Sequence, residues 1–245
     1  MKKIHVLIGG LTAFTLLVGF QQASKSSPVD PLISGLSKST VASVADAVDQ
    51  VVGKRGYMNH DMRPMVGMKM VGRAITALVK PATPEMSTPA LSTKHSVEMI
   101  DNSKPGEVGV IVMDGTLDVA AIGGLMSTAA KSRGMAGMIL DGGVRDLAEI
   151  RALSLPVFAR YVSPGTAVSR YASVSKNVDV MCAGILVHPG DIIVAGEDGV
   201  VVVPRAKEQE ILKRAQEIDD RETKMVPFIK QFKSLGQTIV KFNRI

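Results

Sequence analysis

The residue types best suited to chemistry lie in the segment Asp141-Gly-Gly-Val-Arg145-Asp146-Leu-Ala-Glu149. Arg145 offers a planar, permanently charged guanidinium that suits a carboxylate or an enolate oxygen. Asp146 offers hard carboxylate oxygens, which suit Mg²⁺ or Mn²⁺. However, the spacing of Asp146 and Glu149 is also that of a capping box at the start of a helix. The segment alone therefore leaves two interpretations open, a metal site and a helix cap.

A pair of glycines, Gly123 and Gly124, marks a second candidate site. The residues that follow predict a helix that ends at Gly134. The first turn of a helix has unpaired N–H groups and a positive potential, so a carboxylate or phosphate could bind there, close to the glycine backbone. A tight turn between a strand and a helix would need the same two glycines, and that simpler interpretation stays open.

Both candidate segments follow short apolar runs that predict strands. An alternation of strands and helices indicates an α/β fold with a partly parallel sheet, in which ligands bind beyond the carboxyl ends of the strands. In the later part of the chain, Asp198-Gly199 between two apolar runs predicts a hairpin. The predicted strands are 65–79, 108–113, 135–140, 155–160, 178–188, 192–195 and 200–203, and the predicted helices are 41–51, 123–134, 147–153 and 206–224.

The composition narrows the class of protein. With 245 residues and 46% hydrophobic residues, the chain can bury a sizeable core. Aromatic residues make up only 4%, which does not suit a stacking surface for single-stranded nucleic acid. The net charge of +6 is scattered rather than gathered in a run, so we expect no nucleic-acid partner. The single cysteine, Cys182, lies in an apolar run and is predicted to be a buried packing residue.

The N-terminus is typical of a secretory signal peptide. Lys2 and Lys3 precede an apolar stretch at 4–20, and Ala23 suits a cleavage site. An uncleaved membrane anchor and a misassigned translation start are the alternatives. We expect an exported protein, periplasmic or secreted, without membrane contact after cleavage; without a true signal it would be cytoplasmic. The predicted divisions are a signal peptide at 1–23, a linker at 24–36, a domain at 37–224 and a C-terminal extension at 225–245.

Several blocks of the sequence together resemble the metal-dependent 4-hydroxy-4-methyl-2-oxoglutarate aldolase family, which also includes the regulators of ribonuclease E activity (RraA-like proteins). Gly124, twenty residues, Arg145-Asp146, two residues and Glu149 match its G-x20-R-D-x2-E/D pattern. The similarity spans roughly residues 36–224. Further blocks occur in the same order: Met62-Arg63-Pro64, 125–134, Pro156-Val-Phe158, Cys182-Ala-Gly184, Pro189-Gly-Asp191 and 198–204. Ordered blocks are more specific than any single motif, and they favour a metal site over a cap.

The resemblance implies a role for each matched residue. Asp146 would be the direct ligand of Mg²⁺ or Mn²⁺. Arg145 would hold the pyruvyl part of a 2-oxo-acid substrate and stabilise its enolate. The backbone N–H groups of Leu125 and Met126, beside Gly123 and Gly124, would receive the substrate carboxylate.

The resemblance also implies a fold and an assembly. The fold would be a layered β/β/α sandwich of the swivelling type, assembled as a homotrimer or homohexamer. A glutamate of the C-terminal helix would reach an adjacent subunit's site, and counting from Pro204 gives Glu222. Ile211, Ala215 and Ile218 share a helical stripe with Glu222, which favours this choice over Glu217. An ordinary solvated glutamate at a helix end is the alternative.

Gly124 departs from the typical aldolases, which carry an aspartate at this position. That aspartate orients water at the metal, and such supporting carboxylates tune metal affinity. Its absence leaves Arg145 and Asp146 in place. The resemblance therefore implies metal and 2-oxo-acid binding, while it leaves efficient cleavage of the usual substrate in question.

The function that the resemblance implies is metal-dependent aldol cleavage that releases pyruvate. Decarboxylation of oxaloacetate, which passes through the same enolate, is the expected side activity. The alternative is a family member with little or no activity that binds a 2-oxo acid or a protein. A methyltransferase is disfavoured, because no strand is followed by a glycine-rich nucleotide loop and a later acidic residue.

Overall fold

The computed structural model describes residues 30–67, 69–115 and 118–243. The signal peptide expected at 1–23 and the first part of the expected linker, 24–29, lie outside the described residues. The expectations for export and for the membrane therefore remain predictions. No helix among the described residues combines the length and the apolar character that crossing a membrane requires.

A mixed sheet forms the centre of the fold. Its strand order is β1-β6-β5-β3-β2-β10-β11, with β4 beside β5 and β7 beside β2, while β8 and β9 form a separate hairpin. The strands are β1 (Arg63–Val66), β2 (Met70–Pro81), β3 (Val108–Met113), β4 (Ala120–Ile122), β5 (Gly137–Val144), β6 (Val157–Val162), β7 (Tyr171–Lys176), β8 (Val180–Cys182), β9 (Ile185–Val187), β10 (Ile192–Gly196) and β11 (Gly199–Val203).

The sheet is partly parallel and nearly closed. Strands β2, β3, β5 and β6 run parallel to their neighbours in that series, whereas β1, β10 and β11 pair antiparallel. A backbone bridge between Tyr57 and Val201 brings the β11 edge back to the segment that precedes β1. These features confirm the predicted α/β class with a partly parallel sheet.

Helices cover the outside of the sheet. They are α1 (Pro31–Leu36), α2 (Val41–Val52), α3 (Pro89–Asp101), α4 (Gly124–Ser132), α5 (Leu147–Leu153), α6 (Glu208–Phe232) and α7 (Leu235–Phe242). The ends of α2 show why the predicted helix forms there. The Thr40 side chain accepts a hydrogen bond from the Ser43 N–H at 3.0 Å, and Gly53 ends the helix with a φ of +71°. Both features satisfy helix-end groups that would otherwise lack partners.

The sheet separates two layers of the core. Along β5, Ile139 points into the nearly closed barrel, where it packs with Val110 and Phe158. The next residue, Leu140, points outward and packs against α5 through Ile150. Because both faces are covered, β3 and β5 are apolar along nearly their whole length, as the central strands of a parallel sheet must be. The carboxyl end of β5 is therefore held in place by packing on both faces.

The second half of the predicted linker is part of the folded domain. Residues 31–36 form α1, and Leu36 is fully buried. Asp30 caps this helix and also pairs with Arg73 of β2 at 2.8 Å. Arg73 reaches Glu208 of α6 at 2.8 Å as well, so α1, β2 and α6 share one polar anchor. The Ser- and Pro-rich sequence of this segment gives no local sign of these long-range contacts.

Four predicted boundaries differ from the structure. The strand predicted at 178–188 is two strands, β8 and β9, which pair as a hairpin because Ala183 and Gly184 turn the chain with positive φ angles. The strand predicted at 65–79 is two strands, separated around Gly67, which has a φ of +70°. The strand predicted to stop at Asp141 continues through the two glycines to Val144. The helix predicted to end near 224 continues to Phe232, so the expected division between domain and extension falls inside α6. Strands β4 and β7 were not predicted.

Candidate active site

A cavity of about 440 Å³ opens where β5 ends. Five parts of the chain form it: β4, the first turn of α4, the turn from β5 into the first turn of α5, the loop 163–170 after β6, and α3. Its lining residues are Thr93, Ala120, Ala121, Ile122, Gly123, Gly124, Leu125, Met126, Arg145, Asp146, Glu149, Thr166, Ala167 and Val168. Every predicted site residue except Glu222 thus lies at one cavity.

Asp146 adopts an unusual backbone conformation at the centre of this cavity. Its φ of 58° and ψ of 39° place it in the left-handed region, which few residues other than glycine occupy. Its side chain makes no capping bond to α5. Instead, Oδ2 accepts a hydrogen bond from the backbone N–H of Gly124 at 2.8 Å. The helix-cap interpretation of Asp146 is therefore wrong, and the carboxylate turns toward α4 and the cavity.

Arg145 lies beside this carboxylate with its guanidinium available to a ligand. Its Nε is 3.7 Å from Asp146 Oδ2, and the two side chains are 40% and 39% exposed. An ion pair with this separation and exposure contributes little to stability. The backbone of Arg145 is held, because its N–H donates to the carbonyl of Ile122 at 3.2 Å. The side chain is thus positioned by the sheet while its charge faces the cavity.

The two glycines at the start of α4 allow the carboxylates to come close to the helix backbone. A Cβ at Gly124 would overlap Oε2 of Glu149, and a Cβ at Gly123 would overlap Oδ2 of Asp146. The space that a side chain at position 124 would fill is thus occupied by the Glu149 carboxylate. The departure from the typical aldolases at Gly124 is accompanied by a carboxylate that Glu149 of α5 places in the same space.

The first turn of α4 is the natural place for a negatively charged ligand group. Gly123 precedes the helix without a side-chain cap, and the Gly124 N–H is taken by Asp146. The N–H groups of Leu125 and Met126 have no acceptors within the helix, since first-turn N–H groups never do. The side chain of Leu125 is 90% exposed at the rim. A carboxylate in the cavity can therefore reach both N–H groups without displacing a side chain.

The donor set fits a hard divalent cation in part. Asp146 and Glu149 supply oxygen ligands of the type that Mg²⁺ and Mn²⁺ prefer, and such ions keep several water ligands. Among the described residues, no group of three or more His, Cys, Asp or Glu side chains is placed to hold a metal. The cavity of one chain thus offers a two-carboxylate site, which is what a weakly held, water-ligated ion requires.

Glu222 does not line this cavity in its own chain. It is exposed on α6. Glu222 was chosen because it shares a helical stripe with Ile211, Ala215 and Ile218. These three side chains are buried against the chain's own core rather than turned toward a partner. The stripe is thus explained within one chain, and the reach of Glu222 to a neighbouring subunit stays a prediction.

Sequence reasoning did not anticipate the wall formed by Thr93 and the loop 163–170. The loop is firmly anchored, because the Ser169 N–H donates to Ser92 Oγ at 2.8 Å and the Tyr171 N–H donates to the Ala167 carbonyl at 2.8 Å. Pro164-Gly165 signals a turn in the sequence, but nothing local indicates that the turn faces α4.

Two histidines and the cysteine, whose side chains could take part in acid–base or thiol chemistry, lie elsewhere. His95 contacts Glu98 and His188 contacts Asp179, at 3.2 and 2.8 Å. Cys182 is fully buried, as predicted, and burial raises the pKa of its thiol well above the ordinary value. None of these residues lines the cavity.

Comparison with known proteins agrees with this geometry. The sequence model of the RraA-like family, described as Aldolase/RraA, matches residues 41–202. The chain belongs to this family. The match includes the glycine pair, Arg145, Asp146 and Glu149, and it ends before α6.

Individual relatives give the same assignment. A protein of Halalkalibacterium halodurans named "Putative 4-hydroxy-4-methyl-2-oxoglutarate aldolase" is 36% identical over 115 residues, 46% of this chain and 54% of that protein. The chain spans about half the length of the curated relatives it matches. The matched share is 54% of the Halalkalibacterium halodurans protein and 56% of a second relative, from Methanocaldococcus jannaschii.

Two solved structures resemble the whole domain. An uncharacterized protein from Pseudomonas syringae pv. tomato has a TM-score of 0.74 and 26% identity, covering 86% of this chain and 98% of that one. Streptomyces coelicolor RraAS2, described as an unusual member of the RNase ES inhibitor RraA protein family, has a TM-score of 0.70 and 27% identity, covering 80% and 96%. The family thus contains proteins named for catalysis and proteins named for inhibition.

Proposed function

We propose that this chain is a divalent-metal-dependent lyase that cleaves a 4-hydroxy-2-oxo acid and releases pyruvate. One observation carries the proposal: Asp146 holds a left-handed backbone conformation and turns its carboxylate into the cavity, away from α5. A strained conformation that does not serve as a helix cap is typical of a functional position. Membership of the Aldolase/RraA family supports this reading of the cavity.

The substrate's pyruvyl end would bind between α4 and Arg145. Its carboxylate accepts hydrogen bonds from the N–H groups of Leu125 and Met126, where the helix dipole favours negative charge. The Arg145 guanidinium binds the 2-oxo oxygen, on which negative charge develops during the reaction. Asp146 and Glu149 would hold Mg²⁺ or Mn²⁺, which when bound acts as a Lewis acid toward the 2-oxo acid.

The reaction breaks the C3–C4 bond of the substrate. The electron pair of that bond moves to C3 and gives the enolate of pyruvate, while the C4 hydroxyl loses its proton and becomes a carbonyl. Protonation of C3 then completes pyruvate. Arg145 stabilises the enolate oxygen more strongly than the neutral ketone, so its contribution is to the transition state. Oxaloacetate would lose CO₂ through the same enolate, which makes decarboxylation the expected side activity.

We further propose a homotrimer or homohexamer in which Glu222 serves a neighbouring site. Mixing Asp146→Ala subunits with Glu222→Ala subunits, each weakly active alone, should restore activity if the two residues belong to different chains. A monomer in light scattering, or no recovery on mixing, would contradict this arrangement.

A protein-binding role without catalysis is the second candidate. The likeness to RraAS2 favours it, since that protein is described within an inhibitor family. Activity separates the two candidates.

A coupled assay for pyruvate tests the proposal. Release from 4-hydroxy-4-methyl-2-oxoglutarate and oxaloacetate should require Mg²⁺ or Mn²⁺ and stop with a chelator. Arg145→Lys keeps the charge but loses the planar fork, and should lower kcat/KM by about 100-fold. Arg151→Lys, on the exposed part of α5, is the matched control. Full activity of Arg145→Lys would contradict the proposed site, and inactivity toward every 2-oxo acid would favour the binding role.

A further inference from the structure

We infer that the C-terminal hairpin binds the surface of a membrane that contains anionic lipids. The C-terminal hairpin consists of residues 223–243, which form the last part of α6, a turn at Lys233-Ser234, and α7. The inference does not depend on the proposed lyase function. It departs from the expectation, drawn from the N-terminal segment, that the cleaved protein has no membrane contact.

The C-terminal hairpin lies outside the core of the domain. Helix α7 packs chiefly on α6, and Phe228 contacts Phe232 and Phe242 with ring centroids 5.9 and 5.4 Å apart. These are three of the six phenylalanines of the chain. All three are only partly buried, and none belongs to the core clusters that the described residues form. The hairpin therefore has a small apolar cluster of its own that the rest of the described chain does not cover.

Aliphatic side chains of the C-terminal hairpin also face solvent. Val240 is 82% exposed, Leu235 is 55% exposed and Val226 is 45% exposed. Leu235 and Val240 are five residues apart on α7, so they point about 140° away from each other and cannot enter one groove of a protein partner. The boundary between lipid headgroups and acyl chains accepts apolar side chains in such scattered positions. Since no helix of the described residues could cross a membrane, the contact is with its surface.

Every charged side chain of the C-terminal hairpin is a lysine. Lys224, Lys230, Lys233 and Lys241 are exposed, and segment 223–243 contains no Asp, Glu or Arg. The ion pairs within the described part of the chain involve none of these four lysines. Lys241 Nζ instead lies 3.9 Å from the centre of the Phe228 ring. The exposed surface of the hairpin thus combines positive charge with apolar side chains, as surface-binding helices do.

The kind of cation favours lipid over other negatively charged partners. Protein interfaces are enriched in arginine and depleted in lysine, and arginine suits carboxylates and phosphates held in a fixed geometry. Lysine is a flexible, hydrated point charge that suits the diffuse negative surface of a membrane, where each lysine strengthens binding by about fivefold. A second copy of this chain is a poor electrostatic partner, because it has a net charge of +6 and would bring the same four lysines.

Co-sedimentation with lipid vesicles tests the role of the charge. The chain from residue 24 onward contains every described residue. It should bind vesicles of phosphatidylcholine with about 30% phosphatidylglycerol and should not bind vesicles of phosphatidylcholine alone. Removing three lysines together should lower the partition coefficient by about 100-fold at low salt, without changing Tm. The substitutions are Lys224→Gln, Lys230→Gln and Lys233→Gln.

The matched control removes the same charge from exposed lysines elsewhere. It should lower the partition coefficient by less than about threefold, because those lysines lie away from the bound surface. The control substitutions are Lys54→Gln, Lys104→Gln and Lys213→Gln. Equal losses in the two triple variants, or equal binding of the native chain to both kinds of vesicle, would overturn the inference.

A second pair of variants tests the apolar contact. Leu235→Gln with Val240→Gln should lower the partition coefficient by at least about tenfold, because two aliphatic side chains no longer enter the lipid. Leu91→Gln with Val97→Gln is the matched control, on residues of α3 that are 38% and 37% exposed. Equal effects of the two pairs would indicate a soluble polyanion as the partner and would overturn the inference.

Light scattering distinguishes a membrane from a second copy of the chain. Without vesicles, the native protein and the hairpin variants should have the same mass in solution. A lower mass of the hairpin variants would show that this surface is covered by another subunit and would overturn the inference. Native protein that binds neither kind of vesicle would overturn it as well.

Discussion

Asp146 Oδ2 accepts a hydrogen bond from the backbone N–H of Gly124 at 2.8 Å, across 22 residues of sequence. This bond joins the end of the central strand β5 to the first turn of α4. The Gly124 N–H is thus bonded within the protein, whereas the N–H groups of Leu125 and Met126 remain for a ligand. Two residues of the family motif, Gly124 and Asp146, are therefore in direct contact as well as at a fixed spacing in the sequence.

Replacing Asp146 by Asn should separate stability from function. Asn tolerates the left-handed conformation and its Oδ1 can still accept the Gly124 hydrogen bond. The free energy of unfolding should change by less than about 0.5 kcal/mol. Because the charge is lost, Mg²⁺ should no longer raise Tm, and kcat/KM should fall by at least about 100-fold. Chemical unfolding, thermal scans with and without Mg²⁺, and the pyruvate assay measure these effects. A Mg²⁺-dependent Tm in the variant would contradict the role given to Asp146.

Gly124→Ala should expel the Glu149 carboxylate from its place beside α4, because the new Cβ would overlap Oε2. We expect a higher Mg²⁺ concentration for half-maximal activity, by about tenfold. In Glu149→Ala, the same change at position 124 should have little further effect, since the two residues share one space. Gly236→Ala is the control, because its Cβ would meet only Ser234 Oγ at 3.9 Å. Fully additive effects of the two substitutions would show that they act independently.

Leu36→Ala should destabilise the domain even though the sequence assigns this residue to a linker. Leu36 is fully buried in the core that α1 shares with α2 and α6. Removing a buried leucine side chain costs about 2–5 kcal/mol of unfolding free energy. Leu125→Ala removes a side chain that is 90% exposed and should change that free energy by less than about 0.5 kcal/mol. Similar denaturation midpoints for the two variants would place α1 outside the cooperative unit.

The pair of His188 and Asp179 should give a small pH dependence of stability. The hydrogen bond that the His188 ring donates to the Asp179 carboxylate raises the pKa of His188, and the partial burial of the ring only partly opposes this. A pKa raised by folding contributes stability that is complete below the unfolded value of about 6.5 and is lost as pH rises through the folded value.

The comparison of native protein with Asp179→Asn checks this sign. The difference in Tm should be larger near pH 5.5 than near pH 9, about one unit below and well above the ordinary histidine pKa. Both side chains are at least half exposed, so high salt should reduce the difference. A difference that grows with pH would contradict the assignment.

Elements with a strong local signal could be predicted from the sequence. The run at 108–113 became β3, and Asp198-Gly199 lies at the turn of the β10–β11 hairpin, with Gly196 paired to Gly199. Helix α2 has its predicted start because Thr40 caps it. The hairpin turn and the helix cap depend on contacts between residues close in the chain. The apolar run of β3 is a local signal as well, although the strand pairs with the distant strands β2 and β5.

Features that depend on distant contacts could not be predicted in this way. The spacing of Asp146 and Glu149 fits a capping box and a metal site equally well, and only the backbone φ and the bond to Gly124 distinguish them. The short β4 has three residues, too few to show a periodic pattern. The cavity wall of Thr93 and the loop 163–170 combines segments some 70 residues apart. The family resemblance identified the cavity residues of α4 and of the turn before α5, but it did not identify this wall.

Because Cys182 is buried, the reactivity of its thiol reports when the barrel core opens. This thiol is the only one in the chain, it lies inside the nearly closed barrel, and its raised pKa keeps it protonated at neutral pH. A thiol-specific reagent therefore labels the molecule only when the barrel opens. The labelling rate of an unmodified chain would thus follow the movement of the β8–β9 hairpin away from the barrel core that Cys182 shares with Ile139 of β5, with no engineered probe.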